Sequence, residues 1–215
     1  MKTNVNQLIA IFAAAGIIAL SALLFNISPV VVGAAAEHRG FSNEQLGMLI
    51  VPGLIAQTIV SLLLSFWVRR INWKLFVLLA GTCTFIGYTF AAFATSFTTL
   101  LIGLSIAGIG AGSLYSISMV CLGDAKNPDR GFGFSQLFQA TLMMIGLYAV
   151  PIWISPNWGF TGVLMLFAIG GVIAITLIAY FPASGKQTAD IETQYENDQV
   201  IENTKLSPAI MAMAA

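Results

Sequence analysis

Charge is what this sequence has least of. Acidic and basic side chains make up 8% of the 215 residues while 58% are hydrophobic, whereas soluble domains carry roughly 25% charge. So few charges cannot dress the surface of a water-soluble globule. Nine Lys and Arg balance nine Asp and Glu, so no excess of either sign points to nucleic acid or another polyanionic partner. Cysteine occurs only as Cys83 and Cys121, within or at the end of apolar runs, where thiols behave as small buried hydrophobes; this argues against a disulfide or a metal site. The single histidine, His38, lies between Glu37 and Arg39, and a solvated loop side chain is expected there rather than a pH sensor. The same scarcity excludes an enzyme class. Ser113 after Gly110-Ala111-Gly112 resembles a nucleophile, but an intramembrane hydrolase needs a base, and none lies in the apolar runs. No cofactor is expected.

What the sequence has is long apolar runs. They cover about Leu8 to Val32, Gln45 to Trp67, Leu75 to Thr95, Thr98 to Cys121, Gly133 to Trp153 and Gly159 to Phe181, and none contains Asp, Glu, Lys or Arg. Each has the roughly 17 to 25 residues needed to cross a hydrocarbon core. The first is too long for a signal peptide, and Ala34-Ala35-Ala36 is too far from the start to be its cleavage site. With the N-terminus inside, Lys2, then Arg69, Arg70 and Lys74, then Lys126 and Arg130, then Lys186 and Lys205 all fall on the cytoplasmic side, and only Arg39 falls outside. The positive-inside bias therefore predicts six helices with both ends cytoplasmic; the expected location is a cell membrane, of the bacterial inner-membrane kind.

The boundaries follow. Residues 1–7 read as a cytoplasmic tail, 8–181 as the six-helix bundle, 182–205 as a polar, acidic cytoplasmic linker, and 206–215 as the truncated start of a seventh helix. Ser42 and Gln45 have the spacing of a capping box for the second helix. Asn127 before Pro128 opens the fifth, and Asn72 and Asn157 are candidate caps for the third and sixth.

An internal repeat is visible. Leu24-Phe25-Asn26-Ile27-Ser28 echoes Leu114-Tyr115-Ser116-Ile117-Ser118. Arg39-Gly40-Phe41, three residues, then Gln45-Leu46 is matched by Arg130-Gly131-Phe132, three residues, then Gln136-Leu137; Asn72-Trp73 is matched by Asn157-Trp158. Rare Trp and polar Arg, Gln and Asn recur in the same order, which low-complexity apolar sequence does not produce by chance. An offset of three spans reverses orientation, so the predicted fold is an all-α membrane protein with a 3+3 inverted repeat.

Over about Leu8 to Phe181 the sequence resembles the N-terminal half of the major facilitator superfamily, whose members pair two six-helix bundles around a central cavity. The family's Gly-x-x-x-Asp-Arg-x-Gly-Arg-Arg signature corresponds to Ser65 through Lys74, where Arg70 and the basic Lys74 keep their places. Ser65 and Asn72 replace the glycines and Arg69 replaces the Asp. Leu100 through Gly112 keeps the spaced glycines of the family's fourth helix, with Leu104 where many proton-coupled members have Arg, and Asn127 through Gly131 resembles its loop between helices four and five.

Gly108 and Gly112, with Gly103 and Ala107, are expected to form a closely packed face of the fourth helix. Arg69, Arg70, Lys74, Asp124, Lys126, Asp129 and Arg130 are candidates for an inner charged gate. The resemblance places a substrate cavity along helices one, two, four and five. The candidates there are Asn26, Gln57, Ser116, Gln136, Gln139 and Tyr148, whose uncharged polar groups are costly to leave against lipid, with Tyr115 and Phe25 as packing surfaces for a ligand ring. No carboxylate or base lies in the spans, so coupling, if it exists, comes from helices outside this sequence, or the protein works as a uniporter or exchanger of a neutral or amphipathic solute. The expected partners are the lipid bilayer, that small-molecule substrate, and a C-terminal six-helix half or a second copy. A six-helix accessory or assembly protein that transports nothing is the alternative.

Overall fold

The computed structural model describes residues 2–182, and among them every regular element is helical. The expected seventh-helix start at 206–215 and all but the first residue of the expected linker lie outside the described residues. Helices α1 (Lys2–Asn26) and α2 (Ser28–Arg39) are separated by Ile27, whose φ of −111° and ψ of 20° leave the helical region. Pro29 is the cause: it has no N–H for the Phe25 carbonyl, and its ring crowds the preceding turn. Helices α3 (Asn43–Met48) and α4 (Val51–Ser65) are divided more gently ahead of Pro52, where Leu49 and Ile50 keep right-handed helical angles. A short 3-10 turn, Val68–Arg70, leads into α5 (Trp73–Ala92), followed by α6 (Phe97–Gly123) and α7 (Pro128–Ala149).

From α7 the helical path continues through a π-helical turn, Val150–Ile154, into α8 (Ser155–Thr176) and a 3-10 turn, Leu177–Tyr180. Among the described residues, five stretches are long and apolar enough to cross a membrane: Leu8–Asn26, Asn43–Ser65, Trp73–Ala92, Phe97–Gly123 and the 53-residue Pro128–Tyr180. The fifth and sixth expected runs thus share one stretch. A straight helix of that length would measure about 80 Å, against a hydrocarbon core of roughly 30 Å. It is not straight, because Gly159 has φ 59° and ψ −162°, a conformation open to glycine and outside any helix. Pro151 and Pro156, which bring no N–H, loosen the ladder just before it.

Two of the four expected caps form. Ser42 Oγ accepts from Gln45 N at 3.3 Å while Gln45 Oε1 accepts from Ser42 N at 3.0 Å, a complete capping box. Asn72 Oδ1 accepts from Lys74 N at 3.1 Å and Leu75 N at 3.3 Å. Asn127 stands at the N-cap of α7 without a side-chain bond. Asn157 is no cap at all: the helix has already begun at Ser155, and its Nδ2 donates backward to the Trp153 carbonyl at 2.7 Å. A cap the sequence reading passed over is Ser96, which accepts from Thr99 N at 3.2 Å to open α6.

In the bundle α6 lies against α1, α4 and α5, α8 against α5 and α1, and α7 against α1. One apolar cluster gathers Ile27, Val31, Tyr88, Leu104, Phe160 and Phe167; another gathers Ile17, Val77, Leu114, Ile117, Trp73 and Phe181. The expected close face of α6 is present. A Cβ on Gly108 would collide with the Gly53 carbonyl oxygen and come within 3.0 Å of its Cα, and one on Gly112 would come within 2.7 Å of the Gln57 oxygen. Backbones this near leave no room for a side chain and maximise dispersion contact where lipid supplies no hydrophobic drive.

Candidate functional site

Between α1, α4, α6 and α7 lies an open cavity of about 540 Å³. Four of the predicted substrate residues, Asn26, Gln57, Tyr115 and Gln139, line it together with Phe25. The break before Pro29 puts Phe25 and Asn26 at the end of α1, beside the cavity, with the Phe25 carbonyl deprived of its usual donor. Helix α4 contributes Leu54, Gln57, Thr58, Ser61, Leu62 and Ser65, residues spaced three and four apart that form one stripe of a 3.6-residue helix. Thr58, Ser61 and Ser65 were missed by the sequence reading, although this periodicity could have found them. Ser116 is half-buried on α6, Gln136 is exposed on α7 and Tyr148 is 68% exposed; none of the three lines the cavity.

The lining divides its donors and acceptors unevenly. Thr58 Oγ1 donates to the Leu54 carbonyl at 2.9 Å, Ser65 Oγ to the Leu62 carbonyl at 2.6 Å and Ser61 Oγ to the Gly112 carbonyl at 3.5 Å. Their hydrogens are spent on backbone, so toward the cavity these hydroxyls offer mainly lone pairs. Among the described residues, no protein partner meets the side-chain amides of Asn26, Gln57 and Gln139 or the Tyr115 hydroxyl. These groups can each donate and accept. No lining residue carries a formal charge at neutral pH.

At the α4–α5 end, one pair of the expected gate is made. Arg69, from the 3-10 turn, donates Nη2 to Asp124 Oδ1 at 3.1 Å and Nη1 to Oδ2 at 3.4 Å, a forked contact onto the residue that closes α6. The arginine that replaces the signature's Asp therefore finds its carboxylate on the next connection. Asp129 and Arg130 occupy the first turn of α7, and Arg70 and Lys74 flank Ile71–Trp73. Among the described residues, no ion pair draws these four into the contact.

The opposite end holds a clasp the sequence reading did not foresee. Arg39 donates Nη1 to the Ala94 carbonyl at 2.9 Å and Nη2 to the Ala92 carbonyl at 3.0 Å, and its guanidinium carbon stands 5.6 Å from the Phe160 ring centroid. It thereby caps the carbonyl end of α5 with a cation, as the helix dipole favours. Thr161 Oγ1 donates to the same Ala92 oxygen at 3.2 Å. His38 is exposed, as expected, but stands on a helix rather than in a loop: α2 runs on to Arg39, and His38 Nε2 lies 3.0 Å from Ser155 Oγ, with Glu37 Oε2 at 4.0 Å. The clasp also separates the two copies of the Arg-Gly-Phe repeat. Arg39 and Gly40 end a helix, while Arg130 and Gly131 lie in the first turn of one.

The family model described as Major Facilitator Superfamily matches residues 9–212 of the chain. No curated protein matches it.

Proposed function

We propose that this chain, which belongs to the major facilitator superfamily and so to a family of membrane transporters, supplies the N-terminal half of a carrier for a small neutral or amphipathic solute working by alternating access. The observation that carries the proposal is the cavity: an open, uncharged space whose amides both donate and accept, whose hydroxyls mainly accept, and whose Phe25 and Leu62 give an apolar wall. An ion would find no opposite charge there to offset its lost hydration. A solute with hydroxyl or amide groups and an apolar face would be matched on both counts.

The proposed architecture is six spans in two inverted triplets, counting the two sides of Gly159 separately, with both ends of the bundle segment cytoplasmic. The packing supports it. Exchanging the first three spans for the last three carries the α1–α7 contact onto α6–α4, and the α5–α6 contact onto α8–α1, and both members of each pair are present. The Asn43–Ser65 span is the least buried, at 17%, and its uncovered side is where a second six-helix half, or a second copy, would seat.

Binding tests the solute class. The purified chain in detergent, melted against a panel of neutral and charged small molecules, should be stabilised by uncharged solutes bearing both donors and acceptors. The gain should shrink in Gln57→Ala and Gln139→Ala. Stabilisation by charged solutes alone, or stabilisation untouched by both substitutions, would remove the basis for the proposal. Topology has its own test, in reporter fusions at Gly40 and Asn127. Opposite sides are expected, and the same side for both would rule out the inverted repeat.

A further inference from the structure

The connection between α4 and α5 is chemically two-sided. Phe66 is 83% exposed, Trp67 55% and Leu75 56%, and among them stand Arg70 and Lys74, both exposed and, among the described residues, without an ion-pair partner. Asp124, the carboxylate of the neighbouring connection, is bonded to Arg69. The backbone here is pinned, because buried Trp73 donates its indole N–H to the Val68 carbonyl at 2.7 Å and Val68 is itself buried. The outward display of Phe66 and Trp67 thus belongs to a fixed turn.

Large aromatic side chains beside uncompensated cations suit neither bulk water nor hydrocarbon. They suit the boundary, where aromatic rings rest at headgroup level and cations meet phosphate. The position agrees, since the turn follows directly on the Asn43–Ser65 span and precedes the Trp73–Ala92 span. The positive end of the α5 dipole adds to the field at the same place. Two of the N–H groups there are already taken by Asn72, which leaves the side chains to make the contact.

We propose that this turn binds the phosphate of an anionic phospholipid headgroup, with Arg70 and Lys74 as the charged contacts and Phe66 and Trp67 packed on the glycerol and upper acyl region. The aromatic flank selects a lipid over a free anion. A dissolved phosphate gains nothing from an apolar neighbour, whereas a lipid buries both surfaces together.

The test uses the full chain in nanodiscs of equal phosphatidylcholine and phosphatidylglycerol, with retained lipid counted by native mass spectrometry after mild delipidation. Wild type should keep phosphatidylglycerol in preference to phosphatidylcholine. In Arg70→Gln/Lys74→Gln the preference should fall by roughly five-fold for each cation removed, the factor that one cation near an anionic surface supplies. The variant Lys126→Gln/Arg130→Gln changes net charge equally at the next connection and should keep the wild-type preference. Equal loss in both double variants would overturn the proposal in favour of bulk charge attraction. So would displacement of the retained lipid by inorganic phosphate at matched ionic strength, or no preference in the wild type.

Discussion

Replacing Gly108 by alanine adds one carbon to a close crossing of α6 on α4, and its cost can be worked from the geometry. The new Cβ would fall on the Gly53 carbonyl oxygen and within 2.9 Å of its carbon. These are backbone atoms that cannot rotate away, so α4 and α6 must separate. Overpacking of this kind costs about 1–3 kcal/mol. Alanine also regains roughly 1 kcal/mol of helix propensity over glycine, which would hide a small clash. The control is therefore Gly33→Ala on α2, where an added Cβ meets nothing within 4 Å and the residue is exposed.

The difference between the two variants isolates the clash from propensity. At about 2–4 °C per kcal/mol for a chain of this size, Gly108→Ala should melt roughly 2–12 °C below Gly33→Ala. A thiol-reactive dye reports the melt, because Cys121 is buried and Cys83 partly so in the folded protein. Coincident melting of the two variants, within about 1 °C, would refute the claim that α4 and α6 meet backbone to backbone.

Gln57→Ala and Gln139→Ala should each weaken binding of a neutral ligand about two- to ten-fold, the equivalent of one hydrogen bond, as measured by calorimetry with any solute found in the melting screen. Arg39→Ala removes the side-chain donor from the Ala94 carbonyl and leaves the Ala92 carbonyl with Thr161 alone, and should destabilise by roughly 1–3 kcal/mol in detergent melts, whereas Arg39→Lys should recover only part of it, since an ammonium lacks the planar fork of the guanidinium. For Arg69 and Asp124, a double-mutant cycle with alanines should give a coupling of only about 0.2–1 kcal/mol, because Arg69 is one-third exposed; a coupling several-fold larger would show that solvent does not screen the pair.

The apolar spans, the Ser42 capping box and the glycine face of α6 were legible because each rests on local chemistry: run length, side-chain reach or side-chain volume. Asn26, Gln57, Tyr115 and Gln139 were legible for a related reason, since polar groups within apolar runs have few places to go. What escaped was set by contacts distant in sequence. Nothing near Arg39 indicates that it will bond carbonyls 53 and 55 residues away, and His38 meets Ser155 only because α2 extends to Arg39. Asn157 resembled Asn72 in its neighbour, tryptophan, but the π turn ahead of it had already started the helix. Composition could not reveal that the last two runs share one helical path broken at Gly159.

Polar and rigid features divide between the two sides of α4. The side toward α6 carries Gly53 against Gly108, and the stripe along the cavity carries Thr58, Ser61 and Ser65 with their hydroxyl hydrogens tied to backbone. Contacts between backbones do not stretch gradually, because separation by even half an ångström forfeits much of their dispersion energy. On the proposed transport reading, the cavity wall formed by α4 and α6 therefore moves as one piece, and the Arg69–Asp124 pair, which joins the turn after α4 to the end of α6, moves with it. A disulfide joining α4 to α6 beside Gly53 and Gly108 should then leave transport intact. Loss of transport on oxidising such a pair, with recovery on reduction, would mean that α4 slides on α6 during the cycle.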